Sequence, residues 1–308
     1  MVRILIPIIL LQLSVVSCAF AEPIILLMVD GVRPDYINHL VKAGDLPNIK
    51  RYFYDEGSVF QNSFTSLSLT VPSWSTIMTG RDIDRTAIKG NDVFDRHSKK
   101  IENYLDWRRD ILFSDFRNHG RAYRQLKKAG HQTMIDYFDR PTARDDEGFV
   151  VDSYGSDSSV YASFFPINDQ FPLYLFGTAA DNLLQLDAAK QTTAQNALIR
   201  LLYEEEDFLA LDRDNVEQVL KVINERNAPM KKLILLYFPS VDHYSHRDHN
   251  KGIRALKLVD SEIGRVLRAI NRGRYRHAVV SLVSDHGSQG GQEFNDAESR
   301  HPFKGFRY

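Results

Sequence analysis

The chain has 308 residues, 43% hydrophobic and 26% charged, enough to bury a large core without disulfide staples. Its formal net charge of −1 gives no signal for a nucleic-acid or membrane-surface partner. Cys18 is the single cysteine, so a mature chain that begins beyond it has neither a disulfide nor a catalytic thiol.

Arg3 precedes a mostly apolar stretch from Ile4 to Val16, and Ala19-Phe20-Ala21 is a small-x-small cleavage pattern before Glu22. Residues 1–21 therefore read as a secretory signal peptide, the apolar core being far shorter than the ~20 residues of a membrane span. Val15-Val16-Ser17-Cys18 also fits a bacterial lipobox. In that alternative the leader is 1–17, and lipid on Cys18 tethers the protein to a membrane. Both readings export the chain, to be periplasmic or secreted.

Residues 22–308 alternate strand and helix as one catalytic domain. Pro23 to Val29 is a continuous apolar run of the kind buried on both faces of a parallel sheet. Short helices are expected over Pro34 to His39 and Pro47 to Glu56, then a strand over Val59 to Thr65. Pro72 to Met78 reads as a helix closed by Thr79-Gly80, and Arg121 to Ala129 as one ending at Gly130. Gln132 to Tyr137 is strand-like. Residues 139–180 lack periodicity and read as a substrate-selecting insertion over the sheet edge. Ala179 to Tyr203 and Asp214 to Asn224 have helical spacing. Leu233 to Phe238 and His277 to Val283 are two more buried strands. Between them Ile253 to Ile270 is amphipathic, as a right-handed crossover requires. The fold expected is α/β, with a mostly parallel central sheet and helices on both faces.

Ligands of open α/β sheets bind beyond the carboxyl ends of the strands. The first run delivers Asp30-Gly31, the second leads to Asp242 and His246, and the third to Asp285-His286-Gly287. Each fragment alone is an ordinary turn. Together they gather oxygen and nitrogen donors suited to zinc at one edge. Thr70, before the helix with Pro72 in its first turn, is either a plain N-cap or a nucleophile at a helix start that favours an oxyanion or phosphate. Arg272-Gly273-Arg274-Tyr275-Arg276 reads as a solvated turn rather than an RNA-binding patch.

Taken in order, Asp30-Gly31-Val32-Arg33-Pro34-Asp35-Tyr36, Thr70-Val71-Pro72-Ser73, Thr79-Gly80, Gly90-Asn91, Asp242-x-x-x-His246 and Ser284-Asp285-His286-Gly287 resemble the nucleotide pyrophosphatase/phosphodiesterase branch of the alkaline phosphatase superfamily. The resemblance implies an alkaline-phosphatase-like fold and two zinc ions. Asp30, Thr70, Asp285 and His286 would hold one ion. Asp242, His246 and a further histidine would hold the other, and His301 is the candidate because no other histidine follows His286. His243 and His249 could substitute, but read as exposed or supporting groups.

By the same resemblance Thr70 is the nucleophile and passes through a covalent phospho-threonine. Asn91 and the backbone N–H after the nucleophile would donate to the phosphoryl oxygen. The implied substrate is a small-molecule phosphodiester or nucleotide-like compound. The alternative is a truncated or degenerate relative that binds metal or a phosphorylated ligand without turnover. A sulfatase is disfavoured, since that branch needs Cys or Ser followed by x-Pro-x-Arg, and Thr70 and Trp74 stand there instead.

Overall fold

The computed structural model describes residues 22–60, 63–65, 67–96, 99–104, 121–138, 159–163, 207–246 and 248–288. The leader at 1–21, most of 139–180, the helix expected over Ala179 to Tyr203, and His301 lie outside the described residues.

In chain order the elements are β1 (Ile24–Val29), α1 (Pro34–Ala43), α2 (Pro47–Ile49) and a π-helical turn (Lys50–Asp55). Next come α3 (Thr70–Thr79), α4 (Ile83–Thr86), the antiparallel pair β2 (Asp92–Asp95) and β3 (Lys100–Asn103), α5 (Arg121–Lys128) and α6 (Met134–Phe138). The remainder is β4 (Val160–Ala162), α7 (Asp207–Asn224), β5 (Leu233–Phe238), α8 (Ser240–Ser245), α9 (His249–Arg272) and β6 (Val279–Val283). The main sheet has the order β4-β5-β1-β6 with every pair parallel.

Alternation along the strands explains why β1 and β5 are apolar at every position. Ile25, Leu27 and Val29 point with Ile234, Leu236 and Phe238 into one core, where the apolar stripe Leu256, Val259, Ile263, Val266 and Ile270 of α9 covers them. Leu26 and Met28 point the other way with Leu235 and Tyr237, against Val71, Trp74 and Met78 of α3 and Leu126 of α5. Helices thus cover both faces, and each buried Leu or Ile contributes about 1.5–3 kcal/mol through removal from water. The α9 crossover leaves β5 and lands on β6 beyond β1, so β1 is a central strand flanked on both sides. Asp260 of α9, buried, accepts from the backbone N–H groups of Asn48 and Ile49 and so fixes the start of α2.

Two expected strands are not strands. Among the described residues of 59–65 there is no extended pairing, and Phe60 and Phe64 are 87% and 91% exposed. Both edges of β1 are taken by β5 and β6, so the segment does not pair with the strand that precedes it. Gln132 to Tyr137 holds the helix α6 instead. Asp136 ties down the start of that helix, its carboxylate accepting from the Thr133 N–H at 2.7 Å, as in one half of a capping box, and from the Thr133 hydroxyl at 3.0 Å. The region expected as an insertion contributes β4, which pairs with β5 at the sheet edge. No described helix is long and apolar enough to cross a membrane.

Candidate metal centre

Three strand ends meet at one point. Asp30 follows β1 directly, and Gly31 turns the chain at a left-handed φ of 70°. The Gly31 N–H donates to Asp285 Oδ1 at 3.2 Å, which joins the ends of β1 and β6. Asp242, in the first turn of α8, lies against the same glycine: a Cβ at Gly31 would stand 2.3 Å from Asp242 Oδ1. Only glycine accommodates both the backbone conformation and this approach.

One ligating atom from each of Asp30, Asp285 and His286 lies within 4.8 Å of the others, and all three residues are buried. His286 Nε2 is 3.4 Å from Asp30 Oδ1 and 3.4 Å from Asp285 Oδ2. Thr70 Oγ1 is 3.2 Å from the same nitrogen. Asp242 Oδ2 is 3.0 Å from His246 Nε2, one helical turn on, and the His246 side chain is 68% exposed.

Charge is badly matched in this cluster. Asp30 Oδ1, Asp242 Oδ1 and Asp285 Oδ2 are buried without a hydrogen-bond partner. Burial, then the neighbouring Asp285 and Asp242, push the Asp30 carboxyl well above its usual range. Burial likewise raises Asp285 to about 6, against the lowering influence of His286 and the Gly31 N–H. Orphaned buried carboxylate oxygens aimed at one point cost several kcal/mol unless a cation joins them. Hard oxygens with one imidazole fit a divalent ion such as zinc.

Thr70 is not an N-cap. Leu69 holds that position without a side-chain cap, and Thr70 is the first residue of α3, its hydroxyl facing His286. Asn91 is adjacent, but its Oδ1 accepts from the Val71 N–H at 3.0 Å. The two donors expected to share a phosphoryl oxygen are therefore bonded to each other, leaving the Asn91 amide NH2 as the available donor. His243 stacks on Phe208 with ring centroids 3.7 Å apart, and His249 Nδ1 bonds the Tyr36 hydroxyl at 2.9 Å. Each of these contacts leaves the ring's Nε2 buried without a hydrogen-bond partner.

The sequence pattern assigns no role to Tyr237, and includes Ser284 only as the first residue of the Ser-Asp-His-Gly motif. The Tyr237 hydroxyl donates to Asp30 Oδ2 and orients that carboxylate. The signal was a tyrosine inside an otherwise aliphatic buried run, since a buried phenol needs a partner. Ser284 Oγ accepts from the Val32 N–H at 2.9 Å and donates to the His286 carbonyl at 2.8 Å, fixing the Asp-His-Gly turn. Ser68 ties the approach to α3 to the same turn through the Gly287 carbonyl at 3.0 Å.

The described fold is a parallel α/β sheet with carboxylates, an imidazole and a helix-start hydroxyl gathered at its carboxyl edge. The chain belongs to the type I phosphodiesterase / nucleotide pyrophosphatase family, whose model it matches over residues 24–299. No curated protein matches the chain. Among solved structures it is similar, at 13% identity and a TM-score of 0.49, to phosphonoacetate hydrolase from Sinorhizobium meliloti 1021 in complex with phosphonoformate. The complex of that hydrolase with phosphonoacetate gives 15% identity and a TM-score of 0.43. In both cases 87% of this chain is covered and 56% of the other, so this chain spans little more than half the length of that hydrolase.

Proposed function

We propose that the chain is an exported, zinc-dependent phosphodiesterase that uses Thr70 as nucleophile on small phosphodiester or nucleotide-like substrates. The observation carrying this reading is the Thr70 hydroxyl, 3.2 Å from His286 Nε2, at a cluster whose buried carboxylate oxygens lack partners. Asp30, Thr70, Asp285 and His286 would hold one zinc, and Asp242, His246 and His301 the other. Bound zinc would supply Lewis acidity for the entering and departing oxygens of an in-line displacement.

The chain's own groups perform the remaining tasks. Thr70 Oγ1 forms the bond to phosphorus as the ester oxygen of the leaving group departs, which produces a phospho-threonine. Water then cleaves that ester and regenerates the hydroxyl. At the first position of α3 the developing negative charge faces the amide end of a ten-residue helix, where anions are stabilised. Asn91, anchored through Oδ1 to the Val71 N–H, turns its amide NH2 toward the phosphoryl oxygen. Ser284 and Tyr237 hold His286 and Asp30 in place. Residues 1–21 would direct export, or residues 1–17 with lipid on Cys18.

The test compares zinc content with turnover of bis(p-nitrophenyl) phosphate and p-nitrophenyl phosphate. Close to two zinc ions per chain and a preference for the diester are expected. Zinc-free protein that added zinc does not activate defeats the metal reading, and a preference for the monoester makes it a phosphatase. Two bound zinc ions without turnover of either ester would leave the alternative, a relative that binds without catalysing.

A further inference from the structure

A cavity of about 600 Å³ opens between the ends of α7 and α9, and six arginines line it: Arg226, Arg265, Arg268, Arg272, Arg274 and Arg276. Leu220, Ile223 and Ala269 supply its apolar lining, and among the described residues no acidic side chain lines it. The arginines come from three separate segments: the loop after α7, the last two turns of α9, and the connection into β6. A cation near a helix C-terminus offsets the helix dipole, which accounts for Arg272 at the end of α9 but not for the convergence of the others.

Two of the six are occupied. Arg265 is paired with Glu217 and with Glu262. Arg274 donates to the carbonyls of Glu225 and Ala228, closing the loop after α7. Arg268 and Arg276 reach only neutral partners, Asn48 and His277. Arg226 and Arg272 have no hydrogen bond or ion pair among the described residues. Four guanidinium groups therefore face one concavity with no carboxylate among them. The planar fork of arginine matches phosphate oxygens bidentately, and the volume lies in the range of small-molecule sites.

The cavity is remote from the catalytic cluster. It lies where α9 ends and β6 begins, whereas Asp30, Asp242 and Asp285 follow the other ends of the strands. Six strand residues at ~3.3 Å each place about 20 Å of sheet between the two edges. The chain also enters β1 at the arginine edge, where the Pro23 carbonyl accepts from the Val279 N–H at 2.8 Å.

We propose that this arginine cavity is a second anion site that binds a phosphate-bearing ligand, either a free diphosphate-like compound or a phospholipid headgroup. Arg226, Arg268, Arg272 and Arg276 make the contacts, and the catalytic residues take no part.

Zinc-loaded full-length protein is titrated by calorimetry with methylenediphosphonate, a diphosphate analogue that is not hydrolysed. It is also sedimented with vesicles of phosphatidylcholine alone or with phosphatidylglycerol. Arg226→Ala/Arg272→Ala should melt like the parent and turn over bis(p-nitrophenyl) phosphate unchanged. Loss of one methylenediphosphonate site in that variant, with affinity weakened by about tenfold or more as lost charge-assisted bonds imply, identifies a free ligand. Loss of binding only to phosphatidylglycerol vesicles identifies a headgroup. Arg226→Lys/Arg272→Lys keeps the charge without the fork and should fall between the two. If the alanine variant matches the parent toward both probes, the proposal is overturned, whatever the catalytic zinc does.

Discussion

Thr70 Oγ1 and His286 Nε2 are 3.2 Å apart although 216 positions separate them in sequence. The contact exists because α3 packs Val71, Trp74 and Met78 under the face of β1, which presents the first residue of the helix to the Asp-His-Gly turn. Since Leu69 occupies the N-cap position and its side chain makes no cap bond, Thr70→Ala removes no capping bond. The variant should melt close to the parent while turnover falls by roughly 10³-fold or more, as for loss of other nucleophiles. Thr70→Ser should retain measurable turnover. Near-normal turnover in Thr70→Ala would end the case for a threonine nucleophile.

Asn91 separates two roles by its two amide atoms. Asn91→Asp keeps an oxygen to accept from the Val71 N–H but loses the NH2 and adds negative charge. A drop in kcat of about 10²-fold or more, the usual cost of one lost oxyanion donor, with an unchanged melting temperature, is expected. A variant as active as the parent would assign Asn91 to helix anchoring alone.

Gly31→Ala should disturb the metal cluster without replacing a ligand. The new Cβ would meet Asp242 Oδ1 at 2.3 Å and sit at φ 70°, a conformation costing an L-residue about 1–2 kcal/mol. A lowered melting temperature and loss of about half the bound zinc by elemental analysis follow from the displaced Asp242. Full zinc content would show that Asp242 is not a ligand.

Stability without metal should depend on pH in an unusual direction. Burial raises Asp285 to about 6 in the folded protein, so the folded state binds its proton more tightly than the unfolded chain. This stabilising preference is complete below the unfolded pKa of about 4 and is lost as pH rises through about 6. In chelator, Asp285→Asn should therefore melt above the parent at pH 8, by on the order of 1–3 kcal/mol of stability. The advantage should vanish near pH ~4, where the parent carboxyl is protonated in both states. Zinc should reverse the order at pH 8, since only the parent keeps the ligand. An advantage that persists at low pH would mean that repacking, not charge, explains the variant.

The strands and the polar residues at their ends are legible because each is written in a contiguous stretch. An aliphatic run of strand length marks Ile24–Val29 and Leu233–Phe238, and the polar group after it marks the edge. What escaped depends on a partner distant in sequence. Whether Val59 to Thr65 joins a sheet depends on finding a partner strand elsewhere in the chain, which its own residues do not encode. The role of Tyr237 rests on meeting Asp30, 207 positions away. The helix at Met134–Phe138 does have a local sign in the sequence, the Thr133 and Asp136 pair three residues apart. Arg226 belongs with Arg272 only once α7 and α9 lie side by side.

The sheet order also governs when the protein can become active. β1 is made first among the strands yet lies between β5 and β6, and the Gly31–Asp285 bond spans 254 positions. At ~5–20 residues per second, on the order of 10–50 s of synthesis pass before β1 gains its second neighbour. Until then β1 can pair with β5 alone, and the long loop that its second pairing closes makes folding slow. A nascent chain therefore completes the cluster of Asp30, Asp285 and His286 only after β6 has been made.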